Sequence, residues 1–400
     1  MKRACWFCVF CGGFCLISTF VLSQGFQAAV TYASGAGYGY AVAIADVNGD
    51  GIPDVIVANS GGGNGNDGSV AVLLGNGNGT FQPAVSYDTG GEDTVSVVAA
   101  DLRRDGKIDL VVANNTSRTV GVLLGNGNGT FQPAVTYGLG KFAGGPMNAV
   151  VADVNGDGIP DLVVDDAVGG RISVLIGKGN GAFKTAHYFK GGANWVTTAD
   201  LTGNGSQDLI VAAGYFVYVL LNKGDGKFEK LKKIENGNGT VGYVAAADVN
   251  GDGIPDLLAV MSNCPSGGTC SEGGVGVLLG NGDGTFGPMV TYGTGAYSAT
   301  SVVVADVNGD GIPDLVVSNF CAPTECSSPG AGTVSVLLGN GNGTFQTAST
   351  YGSGGYWGAF SVGVGDLTGN GGLDLVIANF EGYGEAGSYG SSVGVLLSNY

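Results

Sequence analysis

The chain has 400 residues, of which 78 are glycine, 44% are hydrophobic and only 12% are charged. Its formal net charge of −17 at pH 7 disfavours nucleic acid as a partner, because lysine and arginine must neutralise phosphates in such complexes. It also disfavours electrostatic docking to anionic membranes and is consistent with cation binding. The hydrophobic content is too high for a disordered chain, and the mixture is typical of short strands joined by many turns.

The N-terminal segment has the pattern of a secretory signal peptide. Lys2 and Arg3 precede an apolar run over residues 4–22, and Ser23 is a small residue at the expected cleavage point. We therefore predict a signal peptide over residues 1–23 and a secreted, extracellular or cell-surface protein. Membrane attachment is expected only if this segment stays uncleaved, since it is long enough to form an anchor.

Four cysteines follow this segment in two close pairs, Cys264 with Cys270 and Cys321 with Cys326. Four cysteines permit three pairings, and local bridges suit an oxidising compartment. Two such pairs could also hold zinc, but no histidine lies near them in the sequence. We predict the two local disulfides.

A nine-residue acidic loop recurs through the chain. The sequence DVNGDGIPD occurs four times, starting at Asp46, Asp153, Asp248 and Asp306. Degenerate relatives start at Asp101, Asp200 and Asp366. The seven starts are 47 to 60 residues apart, a spacing typical of propeller blades.

Each repeat carries four short apolar runs bounded by Gly, Asn and Asp, which is typical of strands. The GNGNGTF segments predict a tight hairpin between the third and fourth runs. They lack the strand–loop–helix context of a phosphate-binding loop. Residues 24–400 are therefore predicted to form an all-β, seven-bladed β-propeller with four antiparallel strands per blade.

The two ends of the chain predict how this propeller closes. Residues 25–32 match residues 130–137, a fourth strand, whereas the last repeat stops after its third strand. We expect the N-terminal strand to complete the last blade and close the ring, which removes an exposed sheet edge.

Oxygen-bearing side chains stand at positions 1, 3, 5 and 9 of the acidic loop, and the carbonyl at position 7 can add another oxygen. Ca²⁺ prefers about six to eight oxygen ligands, and three carboxylates this close repel each other without a cation. An EF-hand is excluded because position 12, Val57, lies in a strand where a bidentate glutamate is needed. Four strong calcium sites are predicted, with these ligands: Asp46, Asn48, Asp50, Ile52, Asp54; Asp153, Asn155, Asp157, Ile159, Asp161; Asp248, Asn250, Asp252, Ile254, Asp256; Asp306, Asn308, Asp310, Ile312 and Asp314.

The degenerate loops predict weak or empty metal sites. In the second repeat Arg103 replaces a ligand, and Lys107 replaces a neutral residue. We expect an internal cation to replace Ca²⁺ there through a salt bridge to Asp101 or Asp105. The weak candidates are Asp101, Asp105, Asp109, Asp200, Thr202, Asn204, Asp208, Asp366, Thr368, Asn370 and Asp374. The predicted role of the ions is structural, since each pins the turn between the first two strands of a blade.

The D-x-N-x-D-G-x-x-D loop between the first two strands of seven four-stranded units resembles the FG-GAP/VCBS repeats of the integrin α-subunit N-terminal propeller. The resemblance covers residues 25–400. It implies Ca²⁺ in these loops on the bottom face of the propeller and ligand contacts on the opposite, top face. The full Phe-Gly…Gly-Ala-Pro signature and the further domains of an integrin chain are not evident, so integrin signalling is not implied.

Aromatic residues gather in the sequence segments expected on the top face. They are Tyr38, Tyr40, Trp195, Tyr297, Tyr356 and Trp357. Such side chains can stack on sugar rings or anchor a protein partner, and packing between blades is the alternative for each of them.

No catalytic residue is predicted. The one histidine, His187, lies in a predicted strand, and the G-x-S-x-G match at residues 390–394 leads into a strand where the nucleophile elbow requires a helix. We predict a monomeric, non-catalytic binding or adhesion module for an extracellular protein or glycan ligand. The alternatives are a lectin-like propeller and a Ca²⁺-dependent polysaccharide lyase or hydrolase.

Overall fold

The computed structural model describes most of the chain after residue 24. The described ranges are 25–35, 37–61, 67–140, 145–166, 170–184, 187–190, 194–229, 232–235, 239–262, 272–322, 332–380 and 390–399. Within them the chain forms 27 strands and no helix, so none of the described residues belongs to a helix that could cross a bilayer. The predicted signal peptide, Cys264, Cys270 and Cys326 lie outside these ranges. Cys321 is buried at the end of a strand, and the two disulfides stay a prediction.

The first repeat shows how the sequence makes its sheet. Its strands are β2 (Tyr38–Ala45), β3 (Asp54–Ser60), β4 (Asp67–Leu73) and β5 (Val85–Glu92), which pair antiparallel in chain order. All seven residues of β3 are buried. Since both faces of β3 are covered by neighbouring sheets, its apolar residues are consecutive and do not alternate with polar ones.

The remaining repeats follow the same order. Their strands are β6 (Thr94–Ala100), β7 (Asp109–Asn114), β8 (Thr119–Leu123), β9 (Val135–Gly138); β10 (Ala149–Ala152), β11 (Asp161–Asp166), β12 (Arg171–Leu175), β13 (His187–Lys190); β14 (Trp195–Ala199), β15 (Asp208–Ala213), β16 (Phe216–Leu220), β17 (Lys232–Glu235); β18 (Thr240–Ala247), β19 (Asp256–Ser262), β20 (Glu272–Leu278), β21 (Val290–Ala305); β22 (Asp314–Cys321), β23 (Thr333–Leu337), β24 (Ser349–Gly352); β25 (Ala359–Gly365), β26 (Asp374–Asn379) and β27 (Ser391–Leu396).

Hydrogen bonds join the described strands into five four-stranded sheets and one seven-stranded sheet. The larger sheet arises because β21, 16 residues long, pairs with β20 through its first half and with β22 through its second. The fifth and sixth repeats are therefore continuous through one strand, where the sequence predicted separate blades.

The N-terminal strand β1 (Val30–Gly35) belongs to the sheet of the last repeat. It pairs antiparallel with β27, with Tyr32 opposite Val393. The first strands of neighbouring repeats contact each other, and β2 also contacts β25 at the other end of the chain. The chain is thus an all-β protein with propeller architecture, and the closed seven-bladed ring stays the prediction that these contacts support.

The core lies between the sheets. Ile56 of β3 packs with Leu110 of β7 in one cluster, and Val55 of the same strand packs with Val376 of β26 in another. Consecutive residues of one strand therefore stabilise two different interfaces between repeats. A cavity of about 420 Å³ lies on the inner side, lined by the first strands of all seven repeats.

Ile56→Ala should lower the free energy of unfolding by about 2–5 kcal/mol, because it removes a side chain with no exposed surface. The matched control is Val85→Ala on the outer strand of the same sheet, where the side chain is 53% exposed and a change of about 0.5 kcal/mol or less is expected. Urea unfolding measures both variants. Equal losses would contradict the buried position of β3.

Candidate metal centres and ligand face

The aspartate at position 1 of each acidic loop holds the turn itself. Its Oδ2 accepts a hydrogen bond of 2.6–2.8 Å from the backbone N–H of the glycine at position 6 in all seven loops. That glycine has φ between 79° and 87°, a conformation that costs glycine little and a β-branched residue much. Position 6 therefore has to be glycine for the loop to close on the aspartate.

The aspartate at position 9 joins the loop to the hairpin between the third and fourth strands. Asp54 accepts from Val47 N at 2.9 Å and from Gly75 N at 2.8 Å. The same pair of bonds is made by Asp109, Asp161, Asp208, Asp256, Asp314 and Asp374. All seven carboxylates have no exposed surface. The sequence predicted only metal binding for this aspartate, although position 9 is aspartate even in the degenerate loops.

Within each of the four DVNGDGIPD loops the carboxylates repel one another. Burial raises the pKa of Asp54, its two backbone hydrogen bonds lower that pKa, and the charges of Asp50 and Asp46 raise it again. The same causes raise the pKa of Asp161, Asp256 and Asp314. A bound cation would remove this repulsion.

Positions 3 and 5 lie on the solvent side of the loop. Asn48 Nδ2 donates to Asp50 Oδ2 at 2.8 Å, and Asn48 Oδ1 accepts from Asp50 N at 2.8 Å. The same side-chain bond recurs in the other three DVNGDGIPD loops. Within the described residues no three His, Cys, Asp or Glu side chains are arranged to hold a metal, since positions 1 and 9 face backbone N–H groups.

The second repeat shows where a positive charge fits. The Arg103 guanidinium lies 3.1 Å from Asp105 Oδ2 and 2.7 Å from Asp109 Oδ1, and it donates to Gly125 O at 2.6 Å. The predicted pairing with Asp105 is confirmed, and Asp109 is the additional partner. The Asp109 hydrogen bond is the main cause that raises the pKa of Arg103. One cation can thus contact positions 5 and 9 together, and both of these positions are aspartate in the four DVNGDGIPD loops.

The fourth and seventh repeats carry less charge in their loops. Burial is the largest cause that raises the pKa of Asp208 and of Asp374, and each of them has one nearby aspartate, Asp200 or Asp366. Thr202 Oγ1 at position 3 is buried and makes no hydrogen bond with described residues. These loops offer oxygens with only two carboxylates, and weak or empty metal sites stay the prediction for them.

Five aromatic rings meet at the strand ends opposite the acidic loops. We call Tyr38, Tyr40, Phe320, Phe360 and Phe380 the aromatic cluster. The Tyr38 and Phe380 rings stack with centroids 4.2 Å apart, and Tyr40 lies 4.8 Å from Phe360. All five side chains are half-buried, so the cluster keeps part of its apolar surface in contact with solvent.

The cluster also has a polar edge. Burial is the main cause that raises the pKa of Tyr40, followed by the charge of Asp93 and the proximity of Tyr38. Asp93 has a φ of 54°, unusual for a residue other than glycine, and it accepts from Ser60 Oγ at 2.9 Å.

Comparison with known proteins identifies the family. The FG-GAP-like repeat model matches residues 46–112, 101–164, 200–259, 267–317 and 321–377, and the FG-GAP repeat model matches residues 298–337. The chain belongs to the FG-GAP repeat family. No curated protein matches this FG-GAP repeat protein by sequence.

Two solved structures share its fold. An Agrocybe aegerita lectin, described by its specific recognition of non-reducing terminal N-acetylglucosamine, is 24% identical with a TM-score of 0.53, over 82% of this chain and 90% of the lectin. BBS1N, solved in complex with ARL6DN, is 13% identical with a TM-score of 0.61, over 93% of this chain and 97% of BBS1N. At these identities the likeness concerns the propeller fold alone.

The other predicted ligand residues of this FG-GAP repeat protein are not part of the aromatic cluster. The Trp195 and Tyr243 ring centroids are 4.3 Å apart, and both side chains line the inner cavity. Trp195 thus packs between repeats, and its role in ligand binding stays a prediction. Tyr297 and Trp357 are half-buried, and Tyr356 is exposed. His187 is exposed in β13, opposite Val174.

Arg103→Asn should destabilise the protein in EGTA by about 3–5 kcal/mol, the usual cost of removing one partner from a buried ion pair. The matched control is Arg104→Asn, which changes the same charge on an exposed neighbour that pairs with no described carboxylate. Thermal unfolding in EGTA measures both. Equal melting temperatures for the two variants would show that the contacts of Arg103 with Asp105 and Asp109 do not stabilise the acidic loop of the second repeat.

Proposed function

We propose that this FG-GAP repeat protein is a secreted, calcium-stabilised binding module without catalytic activity. The observation that carries the calcium assignment is the Arg103 guanidinium, which stands between the carboxylates of positions 5 and 9. In the first, third, fifth and sixth repeats position 3 is asparagine, and Ca²⁺ supplies the positive charge. We infer that positions 1, 3, 5 and 9 and the carbonyl of position 7 supply its ligands, with the carboxylate oxygens of positions 1 and 9 shared between the ion and the backbone N–H groups from which they accept.

The ion stabilises the turn and does no chemistry. When bound, it neutralises carboxylates whose charges otherwise repel each other. At millimolar extracellular Ca²⁺ and a dissociation constant of roughly 10–100 μM, each site contributes about 1.4–2.7 kcal/mol to stability.

Calcium removal should lower the melting temperature by many degrees, because four sites lose their ions together. Calorimetric titration should give four strong sites, and Asp310→Asn should remove one of them. Asp225→Asn is the matched control, since it makes the same charge change in a hairpin without a predicted site. Identical melting curves in Ca²⁺ and EGTA would contradict the calcium assignment.

The ligand site that we propose is the aromatic cluster. Its members lie where β2 and β25 begin and where β22 and β26 end, and the acidic loops follow or precede these strands at their other ends. The cluster is therefore at the face away from the proposed calcium sites. Half-exposed rings beside a carboxylate such as Asp93 suit a sugar, which stacks its apolar face on a ring and hydrogen-bonds with its hydroxyls.

A glycan is thus the favoured ligand, and an extracellular protein is the alternative. The lectin that shares this fold recognises non-reducing terminal N-acetylglucosamine, so a propeller of this kind can carry a sugar site. The proposed absence of catalysis rests on the scarcity of histidine and on the engagement of the loop aspartates with backbone groups.

Tyr38→Ala should weaken glycan binding about tenfold, which corresponds to about 1.4 kcal/mol. Tyr215→Ala is the matched control, because Tyr215 is 61% exposed, lies between β15 and β16 at the same end of the strands, and is outside the cluster. A glycan array followed by titration of the best ligand measures the change. Equal binding by both variants would show that the glycan binds outside the aromatic cluster. Release of new reducing ends from a bound polysaccharide would show that the protein is an enzyme.

A further inference from the structure

Two aromatic side chains in the inner cavity break the pattern of the repeats. The residue five positions before each acidic loop lies in or beside the first strand of its repeat. These residues are Ala41, Ser96, Asn148, Trp195, Tyr243, Ser301 and Ser361. Six of the seven line the cavity, Ser301 being the exception. Five are alanine, serine or asparagine, whereas the fourth and fifth repeats carry large aromatic rings at this position.

In three repeats the side chain at this position joins two neighbouring first strands. Val196 N donates to Asn148 Oδ1 at 3.1 Å, and Val362 N donates to Ser301 Oγ at 3.3 Å. Ser361 accepts the same kind of bond from the first strand of the first repeat. A polar group at this position therefore serves the packing of one repeat against the next.

Trp195 and Tyr243 instead pack against each other. Their ring centroids are 4.3 Å apart, with 32° between the ring planes. Neither Trp195 Nε1 nor Tyr243 Oη makes a hydrogen bond with a described residue, and the same is true of Ser96 Oγ. Burial raises the pKa of Tyr243 to about 12, so its hydroxyl stays protonated at neutral pH. The cavity thus offers unengaged hydrogen-bond donors beside an aromatic pair.

Most of the remaining cavity lining is aliphatic. Ile44, Val98, Val150, Val303 and Val364 line the cavity and are half-buried, so each keeps surface that a water-sized molecule can reach. None of the described lining residues is charged. A bound ion would lose its hydration without gaining an opposite charge, which is costly. The chemistry of this cavity therefore selects a neutral molecule.

The size of the cavity suits a single ring that carries a polar group. Its volume of about 420 Å³ exceeds the roughly 150 Å³ in which an apolar cavity already binds benzene. A monosaccharide would bury several hydroxyl groups, and each one left without a partner costs free energy. Asn148 and Ser361 are already engaged with backbone groups, so few polar partners remain for a sugar.

We propose that the inner cavity binds a neutral aromatic molecule of one ring, of the phenol class. Its ring packs against the Trp195–Tyr243 pair, since aromatic rings attract each other in offset or edge-to-face contacts. Its hydroxyl bonds to Trp195 Nε1 or Tyr243 Oη. Water alone fits less well, because each buried water needs two to four polar partners and most of the lining is aliphatic. This site is separate from the aromatic cluster and does not depend on it.

The test titrates the secreted protein with three small molecules by calorimetry. They are 4-hydroxybenzyl alcohol, which is neutral at pH 7 because a phenol ionises near about 10, the anion 4-hydroxybenzoate, and neutral N-acetylglucosamine. We expect a dissociation constant of about 0.1–1 mM for the first, in keeping with its size, and at least about tenfold weaker binding of the other two. Trp357→Phe leaves Trp195 as the only tryptophan after residue 23, so a change in its fluorescence on binding places the molecule in the cavity.

Two variants alter the cavity itself. Val98→Phe fills it, and Trp195→Ser introduces the residue that the sixth and seventh repeats carry at this position. Each should weaken binding of 4-hydroxybenzyl alcohol at least about tenfold. Val85→Phe is the matched control, because it makes the same change on an outer strand where the side chain is 53% exposed, and it should bind like the original protein. Thermal unfolding shows which variants are folded.

Three results would overturn the proposal. They are unchanged binding by folded Val98→Phe, equal affinity for 4-hydroxybenzyl alcohol and N-acetylglucosamine, and no binding by the original protein well above the expected dissociation constant. Tyr38→Ala should leave binding of 4-hydroxybenzyl alcohol unchanged, because Tyr38 belongs to the aromatic cluster. A failure of the cavity site is therefore distinguishable from a failure of the proposed glycan site.

Discussion

Each repeat depends on one buried carboxylate, the aspartate at position 9 of the acidic loop. Asp54 and five of its counterparts accept one hydrogen bond from the loop and one from the hairpin between the third and fourth strands, and in the last repeat Asp374 accepts its second bond from Ser398, which follows the third strand. A buried backbone N–H without a partner costs about 1–3 kcal/mol, so one side chain satisfies two groups that the turn would otherwise leave unpaired. The first two strands and the last two strands of a repeat are joined at this point.

The same carboxylate is repelled by the other aspartates of its loop, and the extent of this repulsion differs between the repeats. Burial and the nearby charges raise the pKa of Asp54, and a positive charge relieves the repulsion. In the second repeat the chain supplies that charge through Arg103, whereas DVNGDGIPD loops keep asparagine at position 3. The fourth and seventh repeats carry fewer carboxylates and need less compensation. The loops thus differ in their charge and share the same backbone geometry.

Because backbone hydrogen bonds fix each repeat in this way, the two faces of the propeller can carry different side chains. At one end, the loops and hairpins are fixed by backbone hydrogen bonds, so exposed positions such as Lys178 and Lys184 can vary without changing the fold. At the other end, the strand termini bring aromatic rings from different repeats together, as Tyr38 and Phe380 show. The proposed glycan site is therefore on the face opposite the acidic loops, and it can be altered without changing them.

The sequence by itself determined the all-β class, the repeat spacing, the tight hairpins and the pairing of the N-terminal strand with the last repeat, because these follow from local patterns and from matching segments. It also predicted that Arg103 would pair within its own loop. Only the tertiary structure decided that β21 spans two repeats, that position 9 bonds a hairpin some 20 residues away, and that Tyr38 and Tyr40 meet Phe320, Phe360 and Phe380. Such contacts join residues far apart in the chain, and their geometry depends on how neighbouring sheets pack, which no local pattern encodes.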